Sequence, residues 1–325
     1  MNKNSLDMKT VIYIMAMAAM LAGCSSEDEF TQSSYPADNV VRVTANVNDI
    51  QKRATYTTST LAEFGIGIQN QKNEKYSYGN YKVTKSGSIW SPATQMLWEN
   101  AKRNVNIYAY APYNPNYTGN IYQAIAYPVS VSADQTPDTD KSDFLLFKRS
   151  DFKPSEDLVN GCVPISFNHA LSLLKVNITF RDEFNADTLL TGNPITQLKV
   201  NGTKLNAVCN FATQNVNVVE TASASPVTAR QDSFTAATAG NRKAQATYSC
   251  ILVPQTVAAH GFSISISAKV DNSNEVFNWT SYQAVTLESG KSHQLDLVLG
   301  KEGVIVDNIT VKDWNTGNAI TVVAQ

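Results

Sequence analysis

The chain has 325 residues, with 26 Lys and Arg against 28 Asp and Glu and a formal net charge of −2. Charged residues make up only 17% and lie scattered, so the sequence carries neither a nucleic-acid footprint nor a basic face for anionic membranes. Its four cysteines form no CxxC pair, which argues against zinc and thioredoxin-type chemistry; Cys162, Cys209 and Cys250 sit singly among apolar neighbours and read as buried free thiols.

In chain order, Lys3 and Lys9 precede a mostly apolar run, VIYIMAMAAMLAG, over residues 11–23. Charge followed by a short apolar run is the order of a secretory signal, and the run is shorter than the about 20 residues that a membrane span needs. The run ends in Leu21, Ala22, Gly23 and Cys24, which resembles the lipobox of bacterial lipoproteins, where the cysteine is acylated and becomes the first residue of the mature chain. Residues 1–23 are therefore expected to be a lipoprotein signal peptide and Cys24 the lipidation site, with acyl chains holding the protein to the outer membrane. Glu27, Asp28 and Glu29 open a polar, turn-forming stretch over 24–39 that reads as a flexible acidic tether and resembles a surface-export tag.

After it, VVRVTANV puts Val41, Val43, Ala45 and Val47 on one face and Arg42, Thr44 and Asn46 on the other, the period of a half-buried strand. The same alternation returns in FGIGI, VNIYAYA, VPISF, LLKVNITF, ITQLKVNG, SCILVP, FSISISAKV, HQLDLVLG, NITVKDW and AITVVA, with Gly, Pro, Asn or Asp in nearly every gap. The chain is thus predicted to be all-β, as sandwiches or barrels. Helical expectations are limited to a short turn in SPATQMLWENAK and one turn in NHALSLL. Length favours two domains, and the polar stretch RDEFNADTLLTGNP supplies the boundary, giving 40–184 and 185–325.

Several blocks in order then carry a resemblance: RATYTTSTLAEFGIGI from Arg53, LWENAKRNVNIYAYAPYN from Leu97, SDFLLF from Ser142, VPISFNHALSLLKVNI from Val163, LVPQT from Leu252, LESGKSHQLDLVL from Leu287 and ITVKDW from Ile309. Together, behind a lipobox, they resemble the fimbrillin family of lipoprotein-derived (type V) pilus subunits. The resemblance implies two tandem transthyretin-like Greek-key β-sandwich domains. It also implies export as a lipoprotein, a cut between Arg53 and Ala54 by an Arg-specific protease, and loss of the first strand. The groove so opened is filled by the C-terminal strand of another fimbrial subunit or of a second copy, with Ile320 and Val322 as the donor residues. The physics is β-augmentation, in which an exposed edge with empty alternate pockets takes a partner strand.

Enzyme signatures are absent from the sequence: His169, His260 and His293 stand alone, and no HExxH, GxSxG or phosphate-cradling loop occurs. Ser172 and Lys175 match an SxxK spacing, without the companion elements and in a strand. The chain is expected to need no cofactor or metal and to be no enzyme. Six tyrosines fall within residues 108–127. Of these Tyr113, Tyr117 and Tyr122 are the candidate ligand contacts, since tyrosine on a loop suits sugar stacking or a protein contact. Two functions follow from the sequence. One is a structural or adhesive subunit of a cell-surface fimbria; the other is a monomeric surface lipoprotein that binds a host or microbial glycan or protein.

Overall fold

Short stretches of alternating apolar and polar residues, separated by turn formers, fold here into a chain built almost wholly of strands. The computed structural model describes residues 34–48, 56–137, 142–185, 188–271, 273–314 and 319–322. The signal, Cys24, Arg53 and Ala54 lie outside the described residues.

The first half holds β1 (Val43–Val47), β2 (Glu63–Gln69), β3 (Tyr78–Ser86), β4 (Ile89–Pro92), β5 (Val105–Ala111), β6 (Tyr127–Ser130), β7 (Leu145–Phe152), β8 (Val163–His169) and β9 (Ser172–Phe180). All but β6 and β9 make one seven-stranded sheet in the order β1-β8-β7-β5-β2-β3-β4. Within it β1 runs parallel to β8, while the other pairings are antiparallel.

The second half contributes β10 (Ile195–Asn201), β11 (Asn206–Asn210), β12 (Asn215–Val218), β13 (Val227–Thr228), β14 (Arg230–Thr235), β15 (Gln245–Leu252), β16 (Gln255–Val257) and β17 (Ser263–Val270). It ends with β18 (Ser273–Thr280), β19 (Val285–Leu287), β20 (Lys291–Leu299), β21 (Val304–Asp313) and β22 (Ala319–Val322). A six-stranded sheet, β14-β15-β9-β20-β21-β22, faces a four-stranded one, β13-β10-β17-β18. Leu174, Val176 and Ile178 of β9 pack with Leu198 of β10 and Ile264 and Ile266 of β17 in the core between them.

Residues 34–325 form one compact unit, and two of its strands cross the position expected to divide it. β9 precedes residue 184 yet pairs with β15 and β20, and β6 pairs with β11. Alternation marks a segment as a strand but does not name its partner. The expected helical turns are also absent. In NHALSLL, β8 turns directly into β9, with Ala170 N–H donating to Phe144 O at 2.9 Å. In SPATQMLWENAK, Met96 and Trp98 are buried in an irregular stretch with bends, and a non-helical turn comes only at Ala101 and Lys102.

The central strand β5 joins two cores. Ile107, Ala109 and Ala111 face the N-terminal core with Phe64, Ile66 and Phe167, whereas Tyr108 and Tyr110 face a third cluster. That third cluster also holds Tyr127, Phe144, Cys209, Phe211, Ile251 and Trp314, so both halves contribute to it. On the neighbouring β2 the alternation FGIGI serves the same purpose: Phe64, Ile66 and Ile68 fill the N-terminal core, and glycines occupy the opposite face. A Cβ at Gly65 would lie 2.2 Å from Tyr110 Cε1, and one at Gly67 would lie 2.6 Å from Ile121 Cγ1. The rings of Tyr110, Tyr127 and Phe211 leave Tyr110 little room to retreat, with centroids 5.2 and 5.6 Å from its own.

Gly65→Val is therefore expected to destabilise the fold by about 1–3 kcal/mol through overpacking. Urea unfolding measures this, and a midpoint within error of the parent would contradict the close approach of Tyr110 to β2.

Candidate functional site at the first strand

β1 is the edge of the seven-stranded sheet and is the only strand among its described members that runs parallel to its neighbour. The face predicted from VVRVTANV is the buried one: Val41, Val43 and Val47 are 1%, 3% and 7% exposed in the N-terminal core, and Ala45 packs against it. Each such valine stabilises the fold by on the order of 1.5–3 kcal/mol, an upper estimate because unfolded chains already bury some surface.

The backbone of β1 is held at three places. Along its inner edge, β8 takes it in register from Val43↔Val163 to Val47↔Phe167, with Val163 N–H donating to Arg42 O and Asn48 N–H to Phe167 O, both at 2.8 Å. Side chains add Ser166 Oγ donating to Asn46 Oδ1 at 2.8 Å and Asn48 Nδ2 donating to Asn168 Oδ1 at 2.9 Å. Before the strand, Val41 N–H donates to Met96 O at 2.9 Å and Trp98 N–H to Asn39 O at 2.8 Å. At its end, Val47 N–H donates to Thr58 Oγ1 at 3.0 Å. Between these brackets Val43 and Ala45 turn their peptide groups outward, because β1 has a strand neighbour on one side only.

The end of the expected tether is docked on the fold. Ser34 Oγ donates to Leu158 O at 2.9 Å, Tyr35 packs on the N-terminal core, and Asp38 is paired with Arg42. Residues 34–48, a turn at residues 36–39 followed by the strand, are thus docked on the fold, and their link along the chain to the rest of it runs through residues 49–55, the stretch containing Arg53 and Ala54. Removal of residues 34–48 would strip an edge from β8 and empty the places of three valines. Met96, Trp98 and Thr58 belong to this site although the sequence did not point to them; each is joined to β1 by pairing across the fold.

A family model described as fimbrillin-like matches residues 36–314. The chain belongs to the fimbrillin-like family. This fimbrillin-like chain is also similar in fold to solved structures of low sequence identity. A candidate cell adhesion protein from Bacteroides uniformis has a TM-score of 0.60 at 18% identity, over 86% of this chain and 99% of that one. A second candidate cell adhesion protein, from Bacteroides ovatus, has a TM-score of 0.58 at 15% identity, over 85% and 97%. A fimbrial protein from Bacteroides vulgatus has a TM-score of 0.51 at 16% identity, over 84% and 99%. No curated protein matches the sequence.

The other sequence candidates in the fimbrillin-like chain divide into packed and edge positions. Ile320 and Val322 lie in β22, at the far edge of the six-stranded sheet, opposite Val311 and Ile309 of β21. Tyr113, Tyr117 and Tyr122 are partly buried against the third cluster; the Tyr117 and Tyr127 rings are 4.8 Å apart, and Lys82 Nζ sits 5.6 Å from the Tyr113 ring centroid. Burial pushes the Tyr110 and Tyr127 hydroxyls well up from the usual phenol range.

The three histidines are apart in role as well as in sequence. His169 is buried, with Nδ1 2.9 Å from Asp143 Oδ2 and its ring stacked on Trp314 at 3.9 Å, so the Trp of ITVKDW anchors the end of β21 against the corner between β8 and β9. His260 is exposed and meets Tyr282 edge-on at 5.5 Å. Ser172 and Lys175 lie on one strand three residues apart, which turns them to opposite faces and rules out a shared acyl-transfer site. His293 is 6% exposed, and its Nε2 accepts a hydrogen bond from Glu288 N–H at 3.1 Å. Burial first, and Lys291 second, push its imidazole down to about 4. Cys162, Cys209 and Cys250 are free thiols, and burial raises the last two.

Two outcomes follow. Val43→Asp is expected to cost at least about 3 kcal/mol, because the carboxylate enters the core unpaired, while Thr44→Asp on the exposed face stays within about 0.5 kcal/mol; equal melting temperatures for the two variants would contradict the strand's register. His293 is neutral in the fold and binds a proton more readily when unfolded, so its contribution is present above about pH 6.5 and lost as pH falls toward about 4. Urea titrations from pH 7 to 4 should lose less stability in His293→Gln than in the parent, and parallel pH profiles would refute this.

Proposed function

We propose that this fimbrillin-like chain is a structural or adhesive subunit of a cell-surface fimbria, exported as a lipoprotein through Cys24 and assembled after cleavage between Arg53 and Ala54. The observation that carries the reading is the position of β1: an edge strand that, with Val41 just before it, fills the N-terminal core with Val43 and Val47, and whose chain link to β2 runs through the segment that contains Arg53. Family membership and the similarity to a fimbrial protein and to candidate adhesion proteins support the same reading.

In this reading the lipid and β1 are delivery parts. Cleavage turns β1 into a separate peptide held by β8, residues 96–98 and three valine side chains. A strand from another subunit replaces it, regaining the main-chain bonds to β8 and refilling the pockets with alternate apolar residues. Ile320 and Val322 of β22 supply two such residues at the right spacing, and β22 leaves its own sheet without breaking a central pairing because it is the outermost strand. An isolated strand loss is costly by the burial of three valines, so release and replacement are coupled steps. The role is structural and not enzymatic.

Treating purified precursor with an Arg-specific protease should yield a new N-terminus at Ala54 and SDS-resistant ladders, which Ile320→Asp abolishes. A trimmed protein that stays strictly monomeric, together with normal assembly of Ile320→Asp in cells, would overturn assembly by strand exchange.

A further inference from the structure

A second feature lies on the same sheet, away from β1. The register pairs Val105 with Phe152 at one end of β5 and β7, and Ala111 with Leu145 at the other, where Leu145 also meets His169 and the chain passes on to β9. The Val105 end is therefore the end remote from that crossing. There a cleft of about 200 Å³ opens between the loop after β2, the start of β5 and the end of β7. Lys72, Lys102 and Arg103 line it with Asn104, Asn106 and Asp151. In a chain with net charge −2, three cations on one small cleft outnumber Asp151 on its wall and the Glu99 carboxylate that pairs with Arg103, leaving it locally positive.

The cleft is built rather than incidental. Glu99 accepts from Asn70 Nδ2 at 2.9 Å, Asn73 Nδ2 at 3.1 Å and Arg103 Nε at 2.9 Å. Asn70, only 2% exposed, in turn accepts from the backbone N–H of Lys72 at 3.1 Å. One carboxylate thus fixes both the loop bearing Lys72 and the guanidinium of Arg103. Since Arg103 uses Nε on Glu99, its terminal nitrogens keep their donors for another acceptor. On the opposite wall β7 carries an extra residue relative to β5, a bulge that holds Asp151 at φ 54 with its N–H donating to Asn106 Oδ1 at 3.0 Å. Among the described residues Lys72 and Lys102 have no salt bridge to a carboxylate.

We propose that this cleft binds an acidic saccharide, with one carboxylate or sulfate group set between Lys72, Lys102 and Arg103 and ring hydroxyls on Asn104, Asn106 and Asp151. Cations alone would suit any anion. Asp151 and the amides narrow the choice, because a carboxylate on the wall opposes each negative charge brought in, disfavouring a polyanionic peptide more than a sugar with one anionic group, and it accepts from a hydroxyl. The cleft is small and opens to solvent, so it suits the contact of one substituted ring. The site is independent of strand exchange, since uncleaved monomer already contains it.

The test uses purified, uncleaved protein and calorimetry with 3′-sialyllactose, 3′-sulfolactose, lactose and hexaglutamate. At low salt one or both acidic sugars should bind at least tenfold tighter than lactose, and binding should weaken as salt screens the exposed cations. Sialyllactose alone identifies a carboxylate site and sulfolactose alone a sulfate site. Lys72→Glu with Lys102→Glu should weaken the acidic sugars at least tenfold, and Asn104→Asp, which leaves both lysines in place, should weaken them as well, each with an unchanged melting temperature. No binding of either acidic sugar, equal binding of lactose, undiminished binding by the variants, or preference for hexaglutamate would overturn the proposal.

Discussion

The burial of Val41, Val43 and Val47 against β8 is the contact on which the N-terminal core depends. It brings together two demands that usually conflict. An edge strand of a sheet is the easiest to lose, because its outer peptide groups are unpaired, yet this one carries three almost fully buried side chains. Its hold on the fold is thus largely apolar, while its backbone is paired along its length by β8 and on the outer side only near its two ends. Under the proposed strand exchange, a partner strand with the same alternation would restore both the pairing and the apolar contacts.

The third cluster joins the two halves of the fold. β5 is buried on both faces, sending Ile107 and Ala109 to the N-terminal core and Tyr108 and Tyr110 to the cluster shared with Phe211, Ile251 and Trp314. The glycines of β2 let Tyr110 and Ile121 lie directly on its backbone. The stacking of Trp314 on His169 ties the end of β21 to the corner that follows β8. The outermost strand β22 follows this anchor in the chain.

Much of this was legible in the residues themselves. VVRVTANV correctly marked which side chains of β1 enter the core, FGIGI and VNIYAYA marked strands, and the late Trp and the histidine of the NHALSLL block proved to be packing residues, as their isolation from other catalytic groups implied. Partnership was not legible. Period-two alternation is a local property, and nothing in LLKVNITF says that it pairs with β15 and β20 rather than with the first sheet. SPATQMLWENAK suggested a short helical turn, and nothing in it showed that the core would claim Met96 and Trp98. Lys72, Lys102 and Arg103 gave no signal, being some 30 residues apart and gathered only by the bends after β2 and before β5. The tyrosines between β5 and β6 read as a decorated loop, yet three of them pack on the cluster formed by strands that come almost 100 residues later.

The most direct test of the reading in which β1 is displaced is the N-terminal residue of the chain extracted from cell-surface filaments, determined by mass spectrometry. Ala54 as the first residue, with residues 24–53 gone, is the result expected. Filament subunits that begin uniformly at acylated Cys24 and still carry β1 would contradict it.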